Sequence, residues 1–123
     1  MAIPSGGGSE VLNVSYKEAL TNTVVALITG EANHIYTVLS ITYTEMGADL
    51  TNGIELYIDC GRNDVSAGSN KDIYILNEQN ISARETFIFS EKIVLVGTDA
   101  LKTRISTSAN VDVVCSYIEQ DWT

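Results

Sequence analysis

The chain has very few of the residues that enzymes and metalloproteins use, with one histidine, His34, and two cysteines, Cys60 and Cys115. A nucleophilic enzyme needs a nucleophile, a base and an orienting group, and no such motif accompanies His34. One histidine and two distant cysteines cannot form a four-ligand zinc site without carboxylates. We therefore expect no catalytic residue, no bound metal and no cofactor.

Basic charge is also scarce, because 7 lysines and arginines face 16 acidic residues and give a net charge of −9. Nucleic-acid binding requires a basic face that neutralises phosphates, and the basic residues here are scattered. No apolar run approaches the roughly 18 residues that span a bilayer. The first residues have no basic and apolar signal regions, so no secretory signal is expected. Neither nucleic acid nor membrane is an expected partner.

The cysteines are too few for the disulfide framework of a small secreted domain, which normally has four or more. Both lie in apolar strand patterns. We expect two buried thiols that act as small hydrophobic residues.

Proline occurs once, at position 4, so nothing interrupts the β-patterned segments that follow. Valine and isoleucine dominate the apolar residues, and both favour strands. Alternation between turns predicts about eight strands from Val24 onward. The expected strands are 24–29, 34–45, 54–59, 73–75, 86–89, 93–95, 101–105 and 111–117, with a turn at 77–80 and a long loop at 60–70. The pattern predicts an all-β, two-sheet antiparallel sandwich of the jelly-roll type.

The N-terminal region divides into two parts. Residues 1–10 contain Gly6-Gly7-Gly8, which has great backbone freedom, and are expected to form a flexible arm. Residues 11–20 match both a helical stripe and strand alternation, and the β-rich sequence that follows favours an extended segment. A single sandwich domain is expected over residues 11–123.

The apolar alternation predicts which side chains fill the space between the sheets. The expected core residues are Leu39, Ile41, Leu56, Ile58, Ile75, Phe87, Leu95, Ile105 and Val113.

Six tyrosines are the most suggestive polar-aromatic feature. Outward tyrosines on strands favour interfaces, since they provide a large contact area at low entropic cost. Packing at the sheet edge with the hydroxyl in water is an equally good explanation. The expected interface residues are Ile3 and Pro4 of the arm and Tyr36, Tyr57 and Tyr74 of the strands.

Three segments resemble small structural proteins in the virions of tailed bacteriophages. They are the opening MAIPSGGGSEVL, the stretch EANHIYTVLSITYT, and the closing unit KIVLVGTDALKTRISTSANVDVVCSYIE. The closing unit departs from the family in one place, because its usual Gly-Asp pair appears here as Gly97-Thr98-Asp99.

The resemblance implies a protein without enzymatic activity, located in the virion and assembled in the host cytoplasm. It implies first a head decoration or cement protein, a homotrimer on the major capsid protein. A tail, fibre or head–tail component is the alternative within this class. A carbohydrate-binding, lectin-like sandwich is the alternative from another class, and the sequence has no loop cluster of aromatic residues to support it.

Overall fold

A computed structural model describes residues 9–47, 50–60, 72–106 and 110–122, without the side chains of 50–52. The described residues form nine strands. They are β1 (Ser9–Lys17), β2 (Val25–Thr29), β3 (His34–Glu45), β4 (Leu50–Asp59), β5 (Asp72–Ile81), β6 (Thr86–Phe89), β7 (Ile93–Val96), β8 (Ala100–Ile105) and β9 (Val111–Asp121). Within these ranges no helix is long and apolar enough to cross a membrane.

The strands form two antiparallel sheets whose pairing is nested along the chain. One sheet has five strands in the order β1-β9-β3-β6, with β7 also pairing with β3; the other has the order β2-β8-β4-β5. Strand β1 pairs with β9, β2 with β8, and β4 with β5, as in a jelly roll. The predicted all-β sandwich is confirmed. The extended conformation favoured for residues 11–20 is found up to Lys17, where β1 ends, but not beyond it.

Two differences concern the limits of strands. Ser9 and Glu10, assigned from the sequence to the arm, pair with Asp121 and Gln120 as the start of β1. The predicted turn at 77–80 is wrong, because β5 continues through it with irregular register, and Glu78 has a φ of 58°. Local polar residues indicated a turn, and pairing with β4 overrides them. Residues 1–8 and most of the 60–70 loop lie outside the described residues.

Tight turns meet at one end of the sandwich. Asn33, with a φ of 64°, ends the β2–β3 turn, and Gly97, with a φ of 62°, begins the β7–β8 turn. The Gly97 amide donates to the His34 carbonyl at 2.9 Å. A side chain at Gly30 would collide with the carbonyl oxygens of Gly97 and Asp99. Glycine at position 30 therefore lets the two turns pack together.

The core between the sheets contains most of the predicted residues. Ile41, Leu56, Leu95, Ile105 and Val113 are fully buried. Ile58, Ile75 and Phe87 are partly buried and pack against this cluster.

Leu39 is not in the core, and the reason is a bulge in β3. The register with β9 shifts between Val38 and Ser40, so Leu39 is an extra residue. Alternation therefore reverses at this point: Tyr36 and Val38 are buried before the bulge, and Ile41 is buried after it. A one-residue insertion of this kind moves every preceding side chain to the opposite face.

A hydrogen-bond chain crosses the core between the sheets. The Thr103 hydroxyl lies 2.7 Å from the Glu55 carbonyl oxygen, to which it donates, and 2.7 Å from the Tyr43 hydroxyl. Thr103 has one hydroxyl hydrogen, so the Tyr43 hydroxyl must donate to Thr103. Desolvation raises the pKa of Tyr43 well above its ordinary value, which keeps this donor protonated.

Candidate interaction surface

His34 lies at the start of β3 among carboxylates. Its Nδ1 is 2.9 Å from the Ala32 carbonyl oxygen, so Nδ1 carries the proton and donates. Its Nε2 lies 3.7–3.8 Å from carboxylate oxygens of Glu31, Glu119 and Asp121. The hydrogen bond to Ala32 raises the pKa of His34, and the three carboxylates raise it further. Desolvation lowers this pKa but does not cancel the increase. These neighbours stabilise imidazolium, whereas a general base for nucleophilic attack would need a hydroxyl or thiol within reach.

Cys115 does not supply such a nucleophile. Cys115 is fully buried on β9, and burial raises the pKa of its thiol to about 12, so it stays protonated at neutral pH. Cys60 is half-buried at the end of β4. Both are thiols rather than a disulfide, as predicted, although only Cys115 is fully buried. Across the described part of the chain, no three His, Cys, Asp or Glu side chains are arranged to hold a metal ion.

A small cavity with Trp122 in its wall lies beside His34. It has a volume of about 190 Å³ and is lined by Asn33, His34, Ile35, Val96, Gly97 and Trp122. Ligand sites are commonly about 300–1,000 Å³. The volume of this cavity lies below that range, so the cavity does not favour the lectin-like alternative.

The outer face of the four-stranded sheet is charged and internally paired. Arg104 donates from Nε and Nη2 to the Glu55 carboxylate at 3.1 and 3.3 Å. Lys102 Nζ donates to Asp59 Oδ2 at 2.7 Å. The hydrogen bonds to these carboxylates raise the pKa of Lys102 and of Arg104. Lys102 and Arg104, the basic residues described on this face, are thus engaged within the sheet.

The tyrosines expected at an interface occupy three different environments. Tyr36 is 2%, Tyr57 7% and Tyr74 44% exposed. The expected outward orientation is wrong for Tyr36, because the β3 bulge turns it into the core. Tyr57 does face outward, but the Tyr74 ring covers it, with ring centroids 5.0 Å apart. Only Tyr74 offers much accessible surface; Ile3 and Pro4 lie outside the described residues.

The outer face of the five-stranded sheet has a different composition. Cross-strand pairing places its outward residues in rows. The rows are Leu12–Ile118–Thr37–Val94, Val14–Ser116–Ser40 and Tyr16–Val114–Thr42–Ile88. None of these residues is charged, although the chain has a net charge of −9. We call this set the uncharged face. Its margins are acidic, with Glu10 at one end and Asp112 at the other.

Strand β1 contributes the most exposed part of the uncharged face. Leu12, Val14 and Tyr16 are 70%, 55% and 73% exposed. Asn13 and Ser15 take the opposite side, toward the second sheet, since they pair with inward-facing residues of β9. Residues 12–16 thus reverse the usual arrangement of apolar residues inward and polar residues outward, whereas Val11 keeps it by lying on the inward side.

A shallow groove lies on the uncharged face above the small side chain of Ser116. Its volume is about 460 Å³, and it is lined by Leu12, Asn13, Val14, Leu39, Ser40 and Ser116. The bulge that removes Leu39 from the core places it in this groove. The sequence reasoning missed this surface. Alternating Leu12, Val14 and Tyr16 was the available signal, but alternation does not say which face is covered.

Comparison with known proteins gives matches in structure alone. No family model and no curated protein sequence matches the chain. A chain from a structure described as Bacillus endospore appendages forming a family of disulfide-linked pili matches with a TM-score of 0.53 and 10% identity. That match covers 100% of this chain and 97% of the other, and it shows a shared fold.

Two viral proteins are further neighbours. A chain from the infectious bursal disease virus T13 particle has a TM-score of 0.47 at 6% identity, covering 93% of this chain and 36% of the other. A chain of the acid-stable capsid of Helicobacter pylori bacteriophage KHP30 has a TM-score of 0.45 at 11% identity, covering 94% of each.

Proposed function

We propose that the protein is a structural subunit of a bacteriophage virion that works by association and not by catalysis. The observation that carries the proposal is the uncharged face, with its exposed apolar side chains on β1. Strand spacings of about 4.8 Å and a rise of about 3.3 Å per residue give this face a footprint on the order of 350 Å². Most of its residues are apolar, and the largest apolar patch of a monomeric protein is often functional.

The surrounding charges fit the same function. Protein interfaces are depleted of charged residues at their core and carry polar residues at their rim, and an uncharged face with acidic margins matches this distribution. Glu10 and Asp112 at the margin would repel acidic partners and favour a partner with basic groups around an apolar patch. The major capsid protein is the partner that the phage-like sequence segments imply.

Within the virion we assign the protein to the head, as a decoration or cement protein. Contact area added across capsomer joints raises the cost of separating them, which is the physical basis of cementing. A homotrimer on the lattice is the expected oligomer of this class. A tail or head–tail position would use the same face with fewer copies.

The disulfide-linked pili of the structural neighbour suggest a filament subunit as another use of this fold. Linkage by disulfides requires thiols that can reach a neighbouring subunit. Cys115 is fully buried and Cys60 half-buried. The described thiols therefore do not favour that alternative.

The decisive experiment locates the protein in purified particles by cryo-EM and compares two variants with similar original exposure. Val114 in the uncharged face is 42% exposed, and Ile73 on the four-stranded sheet is 45% exposed. Val114→Glu should lower the number of copies per particle and the temperature at which the head ruptures, whereas Ile73→Glu should leave both unchanged.

The outcomes separate the alternatives. A regular array of copies over the head supports the cement assignment. A few copies at one vertex or in the tail would contradict it while keeping the structural role. Absence of the protein from purified particles would overturn the whole proposal.

A further inference from the structure

Strand β1 has a long, regular edge that no other described strand covers. It pairs with β9 in unbroken register from Ser9↔Asp121 to Lys17↔Val113. Its other edge has no paired strand in the described part of the chain. The edge therefore presents a row of backbone donors and acceptors that another strand can use.

The devices that normally protect an edge are absent from the middle of β1. Soluble proteins block sheet edges with charged residues, proline, bulges or very short strands. In β1 the charges stand near the ends, at Glu10 and Lys17, and the residues between them are uncharged. The strand contains no proline and no register shift.

The other edges of the two sheets are protected. β2 is 5 residues long and contains a register shift. β5 pairs with β4 through several register shifts. The edge opposite β1 is divided into β6 and β7 of 4 residues each, with Glu91 and Lys92 between them. None of these edges offers an unbroken row of backbone groups as long as that of β1. The β1 strand of a second copy does offer such a row.

We infer that β1 pairs antiparallel with β1 of a second copy, around a two-fold axis close to Val14. In the register with Asn13 at the axis, Glu10 lies opposite Tyr16 and Lys17 opposite Ser9 of the other copy, so no like charges face each other. Parallel pairing would instead place Glu10 and Lys17 each beside its own copy. A two-fold contact is closed, so in solution it produces a dimer and not a fibre, in place of the trimer expected of a cement protein. The uncharged middle of β1 lets two chains of charge −9 approach without a charge directly opposite its own copy.

The pairing has a consequence for the uncharged face. Two five-stranded sheets joined through β1 form one continuous sheet, so their uncharged faces lie side by side. The joined footprint is about 700 Å², close to the roughly 800 Å² per partner of a standard stable interface. Dimerisation would thus convert a weak docking surface into one of ordinary size. The inference about β1 does not depend on the virion function proposed above.

The test measures mass in solution by sedimentation and native mass spectrometry over a wide range of protein concentration. Wild-type protein should reach twice the 13.3 kDa of the chain. Val14→Asp and Val14→Lys should each weaken the dimer by at least about tenfold, because each places like charges near the axis. Mixing the two variants should restore a dimer containing one copy of each, since opposite charges then meet.

Val94 provides the matched control. It is 55% exposed, as Val14 is, and lies on the same face at the opposite edge of the sheet. Val94→Asp should leave the dimer intact. Hydrogen exchange of wild-type protein gives a readout without substitution, because the β1 amides should become more protected as concentration rises.

Several results would overturn the inference. A wild-type mass of one or three chains at every concentration would exclude the two-fold contact in solution. Equal loss of the dimer in Val14→Asp and Val94→Asp would place the contact on the face instead of the edge. Failure of the mixed variants to associate would show that Val14 does not lie near an axis. Dimerisation only after removal of residues 1–8 would mean that the chain's own N-terminal segment covers β1.

Discussion

Replacing Thr103 with valine should leave the buried Tyr43 hydroxyl without a hydrogen-bond acceptor. The fold should therefore lose more stability than the loss of one hydrogen bond would cause. Thr103 accepts from Tyr43 of the facing sheet and donates to the Glu55 carbonyl, each at 2.7 Å. Valine has nearly the same shape but can do neither. The Tyr43 hydroxyl then remains buried without an acceptor, because the high pKa of this phenol keeps it protonated.

The magnitude follows from the two losses. Loss of the bond to Glu55 costs about 1 kcal/mol, and an unsatisfied buried hydroxyl adds about 1–3 kcal/mol, so Thr103→Val should cost about 2–4 kcal/mol. Tyr43→Phe removes the donor and leaves Thr103 bonded to Glu55. It should cost about 0.5–1.5 kcal/mol.

The double variant, Thr103→Val with Tyr43→Phe, tests whether the two hydroxyls are coupled. In Thr103→Val the Tyr43 hydroxyl has already lost its acceptor. Adding Tyr43→Phe removes this unsatisfied hydroxyl, so the second substitution should cost little stability or even restore some. The double variant should therefore be about 1–2 kcal/mol more stable than the sum of the single effects. Urea unfolding followed by circular dichroism measures each free energy, and an unchanged slope shows that the unfolding reaction is the same.

A surface pair of the same chemistry serves as the control. The hydroxyls of Thr44 and Thr86 lie 3.5 Å apart at an exposed position. Thr86→Val should change stability by less than about 0.5 kcal/mol. Additive effects at Tyr43 and Thr103, within about 0.3 kcal/mol, would refute the proposed direction of the hydrogen-bond chain.

Two further predictions concern the core and the histidine. Leu56→Ala should lower the free energy of unfolding by about 2–5 kcal/mol, as expected for a fully buried leucine. Leu39→Ala in the bulge should lower it by less than about 1 kcal/mol. Equal losses of stability in urea unfolding would contradict the reversal at the bulge. The pKa of His34 is raised in the folded protein, so protonation of His34 should stabilise the fold fully below pH about 6.5. This stabilisation should disappear as the pH rises through the raised pKa. Unfolding free energies of wild type and His34→Gln should therefore diverge on acidification, and parallel pH profiles would show that Glu31, Glu119 and Asp121 do not act on the ring.

The architecture could be predicted because its signals are local. Val and Ile alternation between polar turns indicated strands, and the turn at Asn33 needs a conformation that asparagine tolerates. Burial of Ile41, Leu56 and Val113 followed from the same alternation. The turn predicted at 77–80 failed because pairing with β4 outweighs local turn preference.

The candidate surface could not be predicted in the same way. The alternation in β3 gives no sign that an extra residue at Leu39 reverses its first half, so the sequence predicts Tyr36 at the surface although it is buried. A bulge depends on the register of the partner strand β9, which lies far along the sequence.

The sequence by itself determined that this chain is an all-β sandwich, because residue preference and alternation act over a few neighbours. Only the tertiary structure decided which face of each strand is covered. Leu12, Val14 and Tyr16 have the pattern of core residues, yet they face outward, because β1 stands at the edge of its sheet and its inward positions carry Asn13 and Ser15. Coverage depends on which other strands lie above a face, and pairing of distant segments sets that arrangement.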